Sequence, residues 1–327
     1  MGHTLGIDLG GTKVLAGVVD TKSGRVLSVA KKRTHAGHTA DDIVARLVEA
    51  AKDAVQTGDL GKNGIDRIGV GVAGQIDRDK GVVVKAPNIA KLSDFPLASL
   101  IKKELGRPVR LFNDVEAGAA GEATFGSGRD QRDFIVIFVG TGIGGALYRG
   151  GKPYKGATGT AGEIGHTIVD YNGRLCGCGG FGHLEAYASR TAIVRSILNA
   201  LHSGRKSILS EIAANANPDD PGGTAIRSGA LASALATGDD LTTEMITTGA
   251  RYLSAGLVSV INLYNPSLII LGGGLVDAVD LFFSVAAQQA RLDALPLPRR
   301  EVRIVKAALG DNAGIIGAAT LADQAKQ

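Results

Sequence analysis

Cys176 and Cys178 are the two cysteines of the 327-residue chain, and both fall with His166 and His183 inside one glycine-rich stretch, Gly162 to Glu185. Thiolates and imidazoles are the donors that zinc takes, and two of each complete a closed tetrahedral sphere. The Cys-x-Cys spacing, with no other cysteine to build a disulfide framework, favours a metal clip over thiols and histidines that are neighbours by chance. Glu163 and Glu185 bracket the same stretch with carboxylates.

A second kind of chemistry is suggested by two glycine turns. Asp8-Leu9-Gly10-Gly11-Thr12-Lys13 joins the apolar segments Leu5 to Leu9 and Val14 to Val19, which reads as strand, tight turn, strand. The pattern recurs where Phe134 to Val139 runs into Gly140-Thr141-Gly142-Ile143-Gly144-Gly145 and returns through Ala146 to Tyr148. Glycines let backbone N–H groups converge on one concavity that attracts phosphate oxygens, although the first turn taken alone reads more readily as a simple hairpin. The recurrence predicts two related α/β halves facing each other across a cleft, each with one phosphate-cradling hairpin.

The rival reading is a dinucleotide-dependent oxidoreductase, because Gly140-x-Gly142-x-x-Gly145 satisfies the dinucleotide fingerprint. Gly69-x-Gly71-x-x-Gly74 and Gly177-x-Gly179-x-x-Gly182 satisfy it too, and none is clearly followed by the helix that the mechanism needs. No Walker A pattern occurs.

The elements that must position these residues follow from periodicity and breakers. After the first hairpin the chain reads as a strand (Val26 to Ala30), an amphipathic helix (Thr39 to Thr57) and a buried strand from Arg67 toward Gly74. Ala86-Pro87-Asn88 is a loop, Leu97 to Leu105 a helix closed by Gly106, and Val109 to Phe112 a strand. Asn113-Asp114 stands at that strand's end, before an alanine-rich helix from Val115 to Thr124. The Asp114 carboxylate there is either an N-cap or a reactive group at a strand end, and position alone favours the cap. Beyond the metal stretch a helix is expected over Ala186 to Leu201, then a polar helical insertion over Ser203 to Asp240 and a long helix over Leu241 to Leu263. A buried strand (Leu268 to Leu271), the turn Gly272-Gly273-Gly274, a helix around Phe282 to Arg291 and a last helix (Ile315 to Gln324) complete the chain.

Composition bounds the class. Hydrophobic residues make up 44% and charged residues 21%, as in an ordinary soluble globular protein of one large or two average domains. The net charge of +4 sits in short clusters such as Lys31-Lys32-Arg33, without tryptophan or a long basic stripe, so nucleic-acid binding is not expected. No apolar run approaches the ~18 residues needed to cross a bilayer. The N-terminal residues do not read as a signal peptide, and the cysteine usage suits a reducing cytoplasm.

Taken together, these motifs resemble the ROK family of sugar kinases and repressors, in the actin/hexokinase-like superfamily, over essentially the whole chain. The resemblance rests on Asp8 to Lys13, Asn113-Asp114, Gly140 to Gly145, Gly162-Glu163-Ile164-Gly165-His166 and Leu271-Gly272-Gly273-Gly274. It implies two ribonuclease-H-like α/β domains: a small one of residues 1–112 plus 312–327, and a large one of residues 113–311. It implies ATP-dependent phosphorylation of a hexose, most readily glucose, with N-acetylmannosamine, N-acetylglucosamine and fructose as alternatives. A non-catalytic, sugar-responsive regulator is the second class; such repressors carry an N-terminal helix-turn-helix, for which no room is expected ahead of the first hairpin. A homo-oligomer, dimer or tetramer, is implied as well.

Carried over residue by residue, the resemblance makes Asp114 the general base. It makes Asn113, Glu163, His166 and Glu185 sugar contacts, joined by Gly74 and Asn88. Gly10, Gly11, Thr12, Lys13, Gly140, Thr141 and Gly142 would grip ATP phosphates, with Gly272, Gly273 and Gly274 on the adenosine side. Asp8 would approach Mg²⁺ through water, since that ion keeps much of its hydration shell. The family's zinc motif is usually C-x-C-G-x-x-G-C-x-E, and here it reads Cys176-x-Cys178-Gly179-x-x-Gly182-His183-x-Glu185. His183 thus stands in place of the third cysteine, which implies a structural His₂Cys₂ zinc site of His166, Cys176, Cys178 and His183. His166 would then serve zinc with one ring nitrogen and the sugar with the other.

Overall fold

The structure is a computed structural model, and it describes residues 3–34, 39–58, 64–87, 89–214 and 226–325. The chain divides into two compact units, Met1–Asp130 with Asp311–Gln327, and Gln131–Gly310. The sequence-based division places the boundary at 112/113, between a strand and the helix after it; the compact units part at 130/131, because that helix packs on the last helix of the chain.

The first unit begins with β1 (His3–Leu9), β2 (Lys13–Asp20) and β3 (Arg25–Arg33), followed by α1 (Ala40–Thr57), β4 (Ile65–Val72), β5 (Gln75–Asp77) and β6 (Val82–Lys85). It continues with α2 (Leu97–Leu105), β7 (Val109–Asn113) and α3 (Asp114–Phe125), and the C-terminal helix (Ala313–Gln324) returns to it. The main sheet has the order β3-β2-β1-β4-β7, with β3, β2 and β1 antiparallel and β4 and β7 parallel to β1. The short hairpin β5–β6 lies outside the sequence-based expectations.

Strand side chains alternate between the two faces of this sheet. Leu5, Ile7 and Leu9 of β1 and Ile68, Val70 and Val72 of β4 join one core with Ile43 and Leu47 of α1 and Ile101 of α2. Gly6 and Gly69 occupy the alternate positions and meet the C-terminal helix. A methyl group at Gly6 would come within 1.9 Å of the Ile315 carbonyl oxygen, and one at Gly69 within 2.0 Å of that of Ala318. On its other side the same helix meets α3, where a methyl group at Gly317 would lie 1.6 Å from the Ala117 carbonyl oxygen. Backbone therefore rests on backbone.

The second unit holds β8 (Phe134–Val139), β9 (Ile143–Arg149), β10 (Lys152–Tyr154), α4 (Glu185–Ala188), α5 (Arg190–His202), α6 (Ser210–Ala214), α7 (Ser228–Ala236) and α8 (Asp240–Tyr264). After these come β11 (Leu268–Gly272), α9 (Gly274–Ala278), α10 (Asp280–Asp293), α11 (Pro296–Glu301) and β12 (Arg303–Lys306). Its sheet order is β10-β9-β8-β11-β12, again three antiparallel strands followed by two parallel to β8. The repeat read from the two glycine turns is thus a repeat of sheet topology. Ile135, Ile137 and Val139 of β8 pack with Leu253, Leu257 and Ile261 of α8 and Phe282, Ala286 and Ala290 of α10.

The helix expected over Ala186 to Leu201 is two helices. Ser189 is extended at ψ 158°, and its side chain accepts from the Ala192 N–H, so it ends α4 and caps α5. The expected polar insertion contributes α6 and α7 and buries Leu209, Ile226, Leu231 and Ala234 in the unit's core, while residues 215–225 lie outside the described residues. Strands β10 and β12 and helices α9 and α11 are too short to have shown a period. Among the described residues no helix is long and apolar enough to cross a membrane.

Gly6→Ala is expected to lower the urea midpoint of the first unit's unfolding, costing about 3 kcal/mol, the upper end for overpacking against groups that cannot move aside. A midpoint equal to the parent's would show that the helix can retreat without loss.

Candidate functional site

Four residues separate the last paired positions of the first hairpin, Leu9 and Val14. The turn is closed by the Gly10 N–H donating to the Lys13 carbonyl at 3.0 Å, and Thr34 clasps it from β3's end, its hydroxyl donating to the Gly10 carbonyl at 2.6 Å and its N–H to that of Thr12 at 3.1 Å. Gly10 has no left-handed φ, and a methyl group there would meet only the Lys13 oxygen at 3.6 Å. Among the described residues no contact requires glycine at this position. Thr12 is exposed, and Lys13 reaches the C-terminal helix's leading turn in an ion pair with Asp311 at 2.9 Å. That lysine, together with Lys31, holds the Asp311 carboxyl below the usual carboxylate range.

Asp8 lies at the end of β1 with its carboxyl against the same helix. A methyl group at Gly314 would approach the Asp8 carboxyl carbon to 3.0 Å. Burial, with the charges of Asp114 and Asp311 adding and Lys13 opposing, pushes the Asp8 carboxyl up to about 7. Asp8 and Asp114 are therefore close enough to feel one another.

The Asn113-Asp114 pair divides its labour differently from the positional expectation. Asn113 is the N-cap of α3: its Oδ1 accepts from the Glu116 N–H at 3.1 Å, and its Nδ2 donates to the Gly74 carbonyl at 3.1 Å. Asp114 is the first helical residue, not the cap. The amide at 113 suits this double duty because it carries an acceptor and donors on one side chain. Gly74 is glycine because a methyl group would strike the Lys85 carbonyl at 2.2 Å. Asn88, expected beside them, lies outside the described residues.

In the second unit three residues separate Val139 from Ile143, one fewer than in the first hairpin. The Gly140 N–H donates to the Gly142 carbonyl at 2.9 Å, and a methyl group at Gly140 would have nothing within 4 Å. Like Gly10, Gly140 has neither a left-handed φ nor a close neighbour to explain it. Gly142, Gly145 and Gly165 are explained by packing: methyl groups there would meet Glu185 Oε2 at 2.4 Å, the Gly162 carbonyl at 2.6 Å and the Ile143 carbonyl at 2.1 Å. The hairpin is thus seated on the stretch that begins at Gly162. It is followed by β9 and not by the helix that a dinucleotide fingerprint at this turn would need.

Glu185, the first residue of α4, joins the hairpin to the metal stretch. Its Oε2 accepts from the Ile143 N–H at 2.8 Å, while its Oε1 lies 3.8 Å from Cys176 Sγ. Of the triple glycine, Gly272 is crowded by Ala307 at 2.7 Å and Gly273 by the Val139 carbonyl at 2.6 Å with φ +92°, whereas Gly274 opens α9 with only Ser228 Oγ at 3.9 Å.

The expected metal ligands converge. One donor atom from each of His166, Cys176, Cys178 and His183 lies within 4.8 Å of every other. Cys176 Sγ is 3.8 Å from His166 Nδ1, and Cys178 Sγ is 3.2 Å from His183 Nδ1. Zinc–sulfur and zinc–nitrogen bond lengths require tetrahedral edges of about 3.3 to 3.8 Å, so the quartet fits a closed site after small adjustments. Burial foremost, with Cys178 and Glu185 adding, pushes the Cys176 thiol up to about 11, so a cation is what would hold it as a thiolate. His166 turns its other ring nitrogen, Nε2, toward Glu163 Oε2 at 3.9 Å.

A model of the ROK family matches residues 4–325. The chain belongs to the ROK family. The glucokinase of Streptomyces coelicolor is 35% identical over 323 residues, 98% of each chain. A ROK family glucokinase from Streptomyces griseus, solved in complex with glucose and AMPPNP, superposes with a TM-score of 0.82 at 35% identity, covering 99% of this chain and 100% of that one. The xylose repressor of Caldicellulosiruptor bescii is 27% identical over 317 residues, 97% of this chain and 77% of its own. The fold is accordingly the actin/hexokinase-like one, and its two sheets of matching strand order are that fold's two domains.

Within this ROK chain several residues that support the site carry no sequence signal. Tyr187 braces the metal stretch from beneath: its hydroxyl accepts from the Arg174 N–H at 2.6 Å and donates to Asp170 Oδ2 at 3.0 Å, with the Arg174 guanidinium 4.9 Å above its ring. Arg190 ties α5 to the second hairpin through the Gly140 carbonyl and the Thr141 hydroxyl, at 2.9 Å each. Both are ordinary helix residues by pattern, and only the break at Ser189 brings Arg190 to the turn.

The Asp8 shift fixes a sign. A carboxyl whose pKa is raised on folding holds its proton in the native state where the unfolded chain has lost it, so its contribution falls as pH rises from about 4 through 7. In metal-free buffer Asp8→Asn should therefore gain on the parent in unfolding midpoint between pH 5 and pH 8; a difference that is constant with pH would contradict this. Gly140→Ala, with space for its methyl group, should leave the melting temperature within about 2 °C of the parent's, as expected for a tolerated Gly→Ala change.

Proposed function

We propose that this ROK protein is an ATP-dependent hexose kinase that transfers the γ-phosphoryl group to the 6-hydroxyl of glucose. The observation that carries the reading is the placement of Asp114: Asn113 caps α3, and the Asp114 carboxylate stands at the first helical position, in electrostatic reach of Asp8. A carboxylate so placed can take the proton from an attacking hydroxyl as the phosphoryl group arrives. Glucose is preferred because the Streptomyces griseus relative was solved with glucose and AMPPNP.

In this reading Asp114 is the general base. Asn113, Glu163, His166 and Glu185 supply hydrogen bonds to the remaining hydroxyls, with Gly74 and Asn88 as further contacts. Glu185 keeps one oxygen on the Ile143 N–H, so it offers the sugar fewer free lone pairs than Glu163 does. Gly10, Gly11, Thr12, Lys13, Gly140, Thr141 and Gly142 hold the triphosphate through backbone N–H groups, hydroxyls and one ammonium. Gly272, Gly273 and Gly274 flank the adenosine. Mg²⁺, approached by Asp8 through water, supplies charge neutralisation of the phosphates. Lys13 must exchange part of its Asp311 ion pair for phosphate when nucleotide binds.

His166, Cys176, Cys178 and His183 hold a structural zinc ion as a His₂Cys₂ set. A zinc ion held there would supply a fixed tautomer and orientation to His166, whose Nε2 faces Glu163 on the side assigned to the sugar. The protein acts in the cytoplasm as a homo-oligomer, a dimer or tetramer. The regulator reading is supported by the similarity to the xylose repressor and by nothing in the site itself.

Coupled ADP-release assays with glucose, fructose, N-acetylglucosamine and N-acetylmannosamine should find turnover, highest with glucose; turnover with none of them, or a specific DNA gel shift, would reverse the proposal. Asp114→Asn should cut kcat by about 10²- to 10⁴-fold while calorimetric glucose affinity stays within a few-fold. Near-parental kcat would remove Asp114 as base. Elemental analysis should find about one zinc per chain and less in His183→Ala; zinc content untouched by that substitution would exclude His183 from the site.

A further inference from the structure

We propose that Arg190 is a nucleotide-positioning residue, which holds the Thr141 hydroxyl as a donor toward the phosphates of a nucleoside triphosphate. This deepens the kinase reading and rests on its assignment of the second glycine hairpin to the nucleotide. Arg190 is the first residue of α5, where Ser189 interrupts what would otherwise be one helix. The leading N–H groups of a helix have no acceptor within it. That of Arg190 finds the Gly140 carbonyl at 2.9 Å, so the start of α5 is fixed to the turn by its backbone.

The side chain makes a separate contact. Nη2 of the guanidinium lies 2.9 Å from Thr141 Oγ1. A guanidinium only donates hydrogen bonds, so the threonine oxygen accepts, and its own proton must point elsewhere. Thr141 is exposed, and its neighbour Gly140 leaves space that no atom of the described residues beyond its two chain neighbours occupies within 4 Å of a methyl position. The result is an oriented hydroxyl donor on an open turn, polarised by a positive charge that no accessible pH removes. An anion with several acceptor oxygens matches that arrangement; a neutral sugar hydroxyl has no comparable need for the charge.

Arg190→Ala removes the guanidinium but keeps the backbone tether, so it isolates the side chain's part. Calorimetric titrations of full-length protein with AMPPNP, and separately with glucose, would be run on the parent, Arg190→Ala, Arg190→Lys, Thr141→Val and the Arg190→Ala/Thr141→Val double variant. Arg190→Ala should weaken AMPPNP about tenfold, the scale of one charge-assisted hydrogen bond, with glucose affinity within about twofold. Arg190→Lys should fall between, since it restores charge without the fork. The double variant should bind AMPPNP little worse than Arg190→Ala, because the two groups act as one unit. Unchanged AMPPNP affinity, additive losses, or equal losses for glucose and AMPPNP would overturn the assignment. If Arg190→Ala does not fold, Arg190→Lys and Thr141→Val decide by the same criteria. A parent that binds AMPPNP with this pattern yet phosphorylates no hexose would end the kinase reading alone; a parent that binds no AMPPNP ends both.

Discussion

The close seating of the C-terminal helix is the constraint on which the first unit depends. Gly6, Gly69 and Gly317 permit contacts in which a single methyl group would lie 2.0 Å or less from a carbonyl oxygen. That closeness brings the helix's leading turn to the end of β1, where Gly314 rests against the Asp8 carboxyl and Asp311 meets Lys13. The acidic group and the ammonium assigned to metal and phosphate are thus set by helix packing, and α3, with Asp114 at its start, is seated on the same helix. A looser helix would move all of these groups together.

In the second unit the equivalent role falls to the glycine hairpin's contact with the metal stretch. Gly145 on Gly162, Gly165 on Ile143, and Gly142 on Glu185 leave the hairpin no independent position. Glu185 then links the Ile143 N–H to the neighbourhood of Cys176, and Arg190 adds a tether from the next helix. The Cys/His quartet and the second glycine turn are parts of one packed assembly. A change in either would be felt at the other through a few backbone contacts.

The two units share strand order but not detail. Both have three antiparallel strands followed by two parallel ones, and both place a glycine turn between the second and third strands of that order. Their turns differ by one residue, and they are supported differently: by Thr34 and the Asp311–Lys13 pair in one, by Glu185 and Arg190 in the other. Similar topology accommodates different electrostatics because the strands fix only where the turn lies, while its charge comes from whichever elements pack behind it.

Legible in the order of residues alone were the longer strands and helices, the two glycine turns, the grouping of His166, Cys176, Cys178 and His183, and the family. Each is written in local order: apolar runs for buried strands, Cys-x-Cys for the clip, glycine beside threonine for the turns. The sequence pattern misjudged the α3 cap, because Asn and Asp are both good caps and only the backbone register tells which one closes the helix. It read one helix where Ser189 makes two, since a capping serine within a periodic stretch looks like any helical serine. Which glycines the fold itself requires, and which it leaves open, emerges from packing. Gly6, Gly69, Gly142 and Gly145 are fixed by atoms far away in the chain, whereas Gly10 and Gly140 have no such neighbour. Steric contact across long sequence separations has no local signature, so the open positions at the two turns emerge only once the chain is folded.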